Sequence, residues 1–367
     1  MILIQILVIN NLSIITPTLF LQVCNSMKPS ISIPPHFRCA ASCLLLGVLG
    51  LTGCATPTAQ PPPAVAKSEL PKILSQVGRG TTYSRSVQTE PDTYISQTGY
   101  RVFKPASGRG PEVELLGAMH VGERAYYQQL QKHMDAAECV LYEGVKDETK
   151  AQKKLTPKEK SKKMARKVYQ KLANLTDHFS QDSIIDYERK HYENCDMTIQ
   201  QMHAILNAEV ALGGQEGTAA KFADFQLSFI YKIVLGDSTL FNLVNWVQRM
   251  SYNKADLRLK AALRACEDKQ LADPLLKLRL YKLLVEDRND HVIKELSHRL
   301  KTHSKVKKFL VIYGAAHLPG MEKSLLELGY VPSGPIKWLE VAISHPYAEG
   351  LNQTEVTEII RKAQTKD

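Results

Sequence analysis

The spacing of apolar residues along the chain alternates between the short period of strands and the longer period of helices. Tyr100 to Pro105 and Val113 to Leu116 read as strands on either side of the turn-rich Ser107-Gly108-Arg109-Gly110-Pro111, which predicts a hairpin. Glu123 to Met134 has helical composition and Cys139 to Tyr142 is an apolar run of strand length, so a βαβ unit follows. Phe309 to Tyr313, Met321 to Leu328 and Ile336 to Ile343 repeat the order of strand, helix and strand. The expectation is an α/β fold in which two βαβ-like halves form a central sheet.

Between the halves, from about residue 147 to 302, the pattern is helical. Thr156-Pro157-Lys158-Glu159 combines a cap residue, a proline at the first helical position and a glutamate at the third, and Met164, Val168 and Leu172 follow as a stripe. Thr198 with Gln201 repeats the capping logic before Met202, Ile205 and Leu206, and Gly213-Gly214 ends that helix. Asp273-Pro274 opens a longer helix, with Leu276, Leu280, Leu283, Leu284, Val292, Leu296 and Leu300 on its apolar face. Residues 351–367 read as a C-terminal tail helix after a domain spanning 80–350.

The N-terminal part carries an address. Cys39 to Leu51 is a short apolar segment, preceded by Lys28 and Arg38 and followed by Leu51-Thr52-Gly53-Cys54. That order resembles a bacterial lipoprotein signal peptide, and the run is too short to span a bilayer. It implies removal of residues 1–53 and acylation of Cys54, whose several chains would anchor the protein stably. Residues 1–26 are uncharged and precede Met27-Lys28, so translation is expected to begin at Met27. Residues 54–79, rich in Pro, Ala and Thr, read as an extended tether. The expected location is the bacterial cell envelope, facing the periplasm; Ala55 in place of an aspartate after the cysteine points towards the outer membrane.

Composition sharpens this picture in two ways. Of the net charge of +10, the stretch Lys146 to Leu172 supplies +8, with eleven basic residues against three acidic ones. A nucleic-acid groove would spread its basic residues and aromatics over several elements, so nucleic acid is not an expected partner. The stripe is the solvated face of a helix or, for a tethered protein, a surface for anionic lipid. Cys139, Cys195 and Cys266 would remain after processing; they allow one disulfide and one free thiol, or three separate buried thiols.

The candidate chemistry lies in two matched turns. Gly117-Ala118-Met119-His120 follows the first strand, and Gly314-Ala315-Ala316-His317 follows the strand of the second unit. With 20 glycines and 11 histidines, chance gives roughly 0.6 such G-x-x-H matches, so two in equivalent strand-to-helix contexts carry weight. Gly117 and Gly314 would let the chain turn sharply, delivering each histidine to the carboxyl edge of the sheet, where two neutral imidazoles can share a metal ion. Glu143 ends the run Cys139 to Tyr142 and is the expected carboxylate, as ligand or as base for a metal-bound water. Glu340 lies as far after His317 as Glu143 lies after His120, a spacing that either coincidence or an internal duplication produces. Glu286-Asp287-Arg288-Asn289 interrupts an apolar helix; it is an exposed polar turn, or it sends Arg288 into the site to hold a carboxylate or a developing oxyanion. No G-x-S-x-G elbow, Walker loop or G-x-G-x-x-G is present.

The combination LLGAMH, LYEG, DRN and IYGAAHLPG, in this order across Val113 to Val341, resembles the TraB/PrgY/GumN family, which is related to the Tiki metalloproteases. The resemblance implies a βαβ-repeat α/β fold, a divalent ion such as manganese or cobalt, and peptide-bond hydrolysis. His120, Glu143 and His317 match its motif positions, and Arg288 and Asn289 match its polar helix motif, although Asp287 stands where glutamate is commoner. The segment around Asp196 also resembles a family segment and adds that residue to the candidates. Two histidines and a carboxylate suit zinc or iron as well. The expected function is that of a lipid-anchored, metal-dependent peptidase acting on a peptide or protein. The alternative is a binding lipoprotein that captures haem, a metal or a peptide without turning it over, since ChaN-like haem-binding lipoproteins are distantly related in fold. Mass spectrometry of the protein from cells is expected to find a lipid-modified Cys54 as the amino terminus; a peptide upstream of Met27 would sink the assigned start.

Overall fold

The computed structural model describes residues 72–74, 82–145, 170, 173–234, 253–263 and 279–364, all within one compact unit, Gln60–Asp367. Cys54, the tether up to residue 71, the basic stripe with its Thr156 cap, Cys266 and the Asp273-Pro274 helix start lie outside the described residues.

The chain begins its sheet with β1 (Lys72–Ile73), β2 (Ser84–Glu90), β3 (Thr93–Pro105), β4 (Glu112–Ala118) and the short β5 (Val121–Gly122). Helix α1 (Arg124–Asp135) and β6 (Cys139–Tyr142) complete the first βαβ unit. Then come β7 (Phe179–Ser180), α2 (Gln181–Ile184), β8 (Tyr192–Asn194), α3 (Ile199–Leu212), α4 (Gly214–Val234), α5 (Lys254–Ala262) and α6 (Arg279–Tyr281). A π-helical turn, Lys282–Asp287, leads into α7 (Arg288–Thr302) and β9 (Lys308–Gly314). A 3-10 turn, Ala315–His317, precedes α8 (Leu318–Glu327), β10 (Tyr330–Pro332), β11 (Lys337–Ser344) and α9 (Gln353–Gln364).

The result is an α/β fold on a mixed sheet whose central strands β4, β9, β6 and β8 run parallel in that spatial order. Strand β9, Lys-Phe-Leu-Val-Ile-Tyr-Gly, is apolar at consecutive positions because helices cover both faces. On one face Val113, Leu115, Phe309 and Val311 meet Val292 and Leu296 of α7 and Leu318, Met321 and Leu325 of α8. On the other, Leu116, Val140, Leu310 and Ile312 meet Tyr126, Tyr127, Leu130 and Met134 of α1. The β3–β4 hairpin pairs Tyr100 with Leu116 through Phe103 with Val113, and its turn uses Gly108 and Gly110 at positive φ.

Several expectations need correction. Strand β11 does not return beside β9, whose two neighbours are already β4 and β6; it pairs antiparallel with the free edge of β3, so that Thr98 lies between Ser84 and Leu339. Its half-buried pattern suits such an edge, and the second half is therefore no copy of the first. The insertion is not wholly helical, because β8 extends the sheet beyond β6; a strand of three residues with one apolar side chain gives no readable period. The sheet also reaches back into the expected tether, since Lys72 and Ile73 pair with β2. Helix α9 is not a tail, for Val356 and Ala363 join Tyr94, Leu259 and Tyr347 in a core of their own. Cys139 and Cys195 are free and buried; the ladder pairing Val140 with Tyr192 and Tyr142 with Asn194 sets them at opposite ends of the strands.

The capping box at Thr198 forms as its sequence predicts, with the hydroxyl accepting from Gln201 N and the Gln201 side chain from Thr198 N. Gly213 ends α3 at a φ of 75°, and Met202 and Leu206 pack with Ala220, Ala223 and Leu227 of α4. Replacing Thr198 with Ala is expected to cost about 1 kcal/mol in stability, read as a lower urea midpoint with an unchanged slope.

Candidate functional site

Adjacent parallel strands deliver the predicted residues to one edge. The ladder pairs Gly117 with Tyr313 and Ala118 with Gly314, so the two G-x-x-H turns leave neighbouring strands one residue out of register. Glu143 leaves β6 on the other side of β9, with its backbone N donating to Ile312 O, and Asp196 follows β8 next to it. The turns are not equivalent in shape: the first runs into β5 and the second directly into the 3-10 turn and α8. Their glycines serve close approach. A Cβ on Gly117 would stand 2.9 Å from Gly99 O, and one on Gly314 would stand 3.3 Å from Glu143 Oε2, which accepts the Gly314 N–H at 2.7 Å.

His317 is buried and held at two points by Asn289. Asn289 Nδ2 donates to His317 O at 3.1 Å, which leaves Asn289 Oδ1 to accept from His317 Nδ1 at 2.8 Å. This network assigns the proton to Nδ1 and leaves the lone pair on Nε2. Burial, and then the Arg288 charge, push the imidazole pKa down to about 3, so the ring is neutral. Asn289 fits because α8 carries Gly320 against it; a Cβ there would stand 2.5 Å from Nδ2.

Arg288 ties the strand ends together. Its Nε and Nη2 donate to Asp196 Oδ1 and Oδ2 at 2.8 and 2.6 Å, and Nη2 also donates to Glu143 Oε1 at 2.6 Å. Nη1 donates to Leu284 O at 3.1 Å and lies 3.4 Å from His317 Nε2. Burial opposes the guanidinium charge, but Asp196 and Glu143 keep it protonated. Burial likewise opposes the charge on Glu143, yet Arg288, the two histidines and the Gly314 N–H hold its carboxyl well below the usual carboxylate range. Asp196 is wholly buried and also accepts from Gly144 N and Met197 N. The exposed-turn reading of residues 286–289 therefore fails for Arg288 and Asn289, which both point inward. Of the two roles expected for an inward Arg288, the structure shows the holding of carboxylates, those of Asp196 and Glu143. The helix expected through this segment runs on without a break from Arg279 to Thr302, with a π turn inside it that sets the Arg288 side chain against the Leu284 carbonyl.

His120 is half-buried, accepts from Gln181 N at 3.0 Å through its carbonyl, and lies near enough to act electrostatically on Glu143 and His317. Glu340 is not brought to the site; it is exposed at a bulge on β11. Sequence reasoning missed Asn194, which grips Gly144 O and Asp196 N, and Tyr313, whose hydroxyl donates to Cys195 O and whose ring meets His317 edge-on. An Asn-x-Asp step ahead of the Thr198 cap was the only available signal for the former.

The donor chemistry fits a divalent ion. A neutral imidazole with an unprotonated Nε2, 3.4 Å from Arg288 Nη1, stands 3.9 Å from an oxygen of an ionised carboxylate, and the two carboxylates share a single guanidinium, leaving a formal charge of −1. A finished ligand shell is not in place: among the described residues, no three His, Cys, Asp or Glu side chains form a group able to hold a metal ion.

The shifts set a pH dependence. Because native His317 binds its proton only near pH 3 while the unfolded side chain does so near 6.5, the unfolded state carries the extra proton between those values. Stability should therefore fall on acidification through this window, with a slope approaching about 1.4 kcal/mol per pH unit from this one group. Glu143, with its lowered pKa, adds a loss of the same sign once the pH drops below the unfolded carboxyl value. Urea unfolding between pH 4 and 6 should show a clearly flatter dependence for His317→Gln; an unchanged slope would count against the buried neutral imidazole.

Comparison of the chain with family models, curated proteins and solved structures finds no match.

Proposed function

We propose that this cluster is the centre of a metal-dependent hydrolase acting on peptide bonds, carried by a lipid-anchored protein of the bacterial envelope. The observation behind this reading is the His317–Glu143 pair: one imidazole neutral with its tautomer fixed by Asn289, one carboxylate ionised, the two 3.9 Å apart beside a second carboxylate. These are the protonation states that metal ligands need, and they hold without a metal. The family resemblance of the G-x-x-H turns supports the reaction class, and the lipobox-like segment supports the location.

His317 Nε2 and Glu143 would hold the ion, with His120 as the third donor from the neighbouring strand. A bound divalent ion supplies Lewis acidity, which lowers the pKa of water and polarises a carbonyl. The protein's own groups do the positioning. Asn289 keeps the Nδ1 proton of His317 in place, so that Nε2 stays available. Gly314 N and Arg288 fix the Glu143 carboxylate from two sides. Glu143, ionised at neutral pH, can take a proton from a water at its free lone pairs and pass it to the leaving amine. Asp196 neutralises Arg288 and so acts through it.

Calorimetric titration of the full chain with manganese, cobalt, zinc and iron(II) is expected to show one ion bound, lost in His120→Ala and in His317→Ala while both variants stay folded. Manganese-dependent cleavage of an unstructured peptide should disappear in the same variants. Wild type and variants that behave alike, or an intense haem absorption band on reconstitution, would replace the hydrolase reading with that of a binding protein.

A further inference from the structure

We propose that the guanidinium of Arg288 is a built-in competitor for the divalent ion, so that the ion enters by driving Arg288 off Glu143 and wholly onto Asp196. This rests on the reading of the cluster as a divalent-ion site and adds a role that the motif does not assign to Arg288.

The argument starts from positions. The terminal nitrogens of Arg288 reach both donors at once: Nη2 stands 2.6 Å from Glu143 Oε1, and Nη1 stands 3.4 Å from His317 Nε2. Those two donor atoms are themselves 3.9 Å apart. An ion held by both donors would meet a guanidinium whose Nη2 already occupies Glu143 Oε1 and whose Nη1 already faces His317 Nε2. A fixed positive charge at that range opposes a divalent cation even at an effective dielectric of about 20. Arg288 and the ion thus compete for the same lone pairs.

Arg288 also has somewhere to go. Its Nε and Nη2 form a two-pronged contact with Asp196, whose side chain is fully buried, and Nη1 is held by Leu284 O in the π turn. Giving up Glu143 and the longer contact with His317 Nε2 leaves the fork on Asp196 and the contact with Leu284 O intact. Asp196 is then the resting place that makes displacement possible. Its backbone neighbours Gly144 and Met197 donate to it and would hold it there in both states. The contrary view treats Arg288 as a group that prepares Glu143 for the ion, and it predicts the opposite response to removal.

The test is manganese titration by calorimetry on the full chain in three forms: wild type, Asp196→Asn, and the double variant Arg288→Met with Asp196→Asn. The double variant keeps the formal charge of the cluster at −1, so a change in affinity reports the guanidinium and not the net charge. It also avoids stranding a buried carboxylate beside a missing partner. The double variant is expected to bind manganese at least about tenfold more tightly than wild type. Asp196→Asn, in which Arg288 has only Glu143 left to pair with, is expected to bind at least about tenfold more weakly. Equal or weaker binding by the double variant overturns the proposal while leaving the ion site itself standing. If the double variant does not fold, Arg288→Gln with Asp196→Asn, which keeps the same formal charge, takes its place, and equal or weaker binding there overturns the proposal. Binding by the double variant with none by wild type supports it in its strongest form. No binding by any form removes the ion site and this proposal together.

Discussion

A buried and a half-buried carboxylate sharing one guanidinium form the constraint on which the site depends. Glu143 follows β6, Asp196 follows β8, and Arg288 opens α7, so three segments far apart in sequence converge on one ion-paired group. Removing Arg288 would leave both carboxylates without a partner, which costs far more than the net gain of forming the pair, whereas removing either carboxylate leaves Arg288 paired with the other. The surrounding geometry follows from that need. Gly144 and Gly314 bring backbone N–H groups to the carboxylates, Leu284 turns a π-helical carbonyl towards Nη1, and Asn289 takes the remaining imidazole proton.

Much of the scaffold was legible in the sequence, and the reasons are local. The β3–β4 hairpin, α1, β6 and β9 have long apolar periods or strong turn residues, and Thr198 with Gln201 announces α3 through two hydrogen bonds four residues apart at most. The two histidines and Glu143 could be placed because each follows directly on a readable strand. What was hidden depends on partners distant in sequence. Strand β8 is three residues long and exists only because β6 has an open edge. Strand β11 was read as a parallel return, yet the edge it joins is decided by which places in the sheet are already taken.

The role of Arg288 was the least legible part. Its position in a polar break of a helix was visible, but the π turn that sets it was not, because such a turn leaves no period in a stretch like Lys-Leu-Leu-Val-Glu-Asp. Asp196 is a candidate in the sequence only through the family resemblance of its segment, and it becomes central once β8 lies beside β6. The exposure of a charged residue cannot be read from polarity alone; here the sequence offers the same letters for a solvated turn and for a buried ion pair.

The place of β9 in the sheet bears on how the protein is made. It lies between β4 and β6, pairing Glu112 with Lys308 and Cys139 with Phe309, although β4 and β6 are near neighbours in sequence. As the chain is synthesised, the first βαβ unit must therefore form with a gap at its centre, or wait, until a strand that begins 166 residues after Tyr142 arrives to fill it. Two unpaired strand edges stand open in the meantime, a state prone to wrong pairing. Arg288 arrives just before that strand, Gly314 with it and His317 just after it, so no truncated chain ending ahead of β9 can assemble the cluster. The closing of the sheet and the completion of the site are one event.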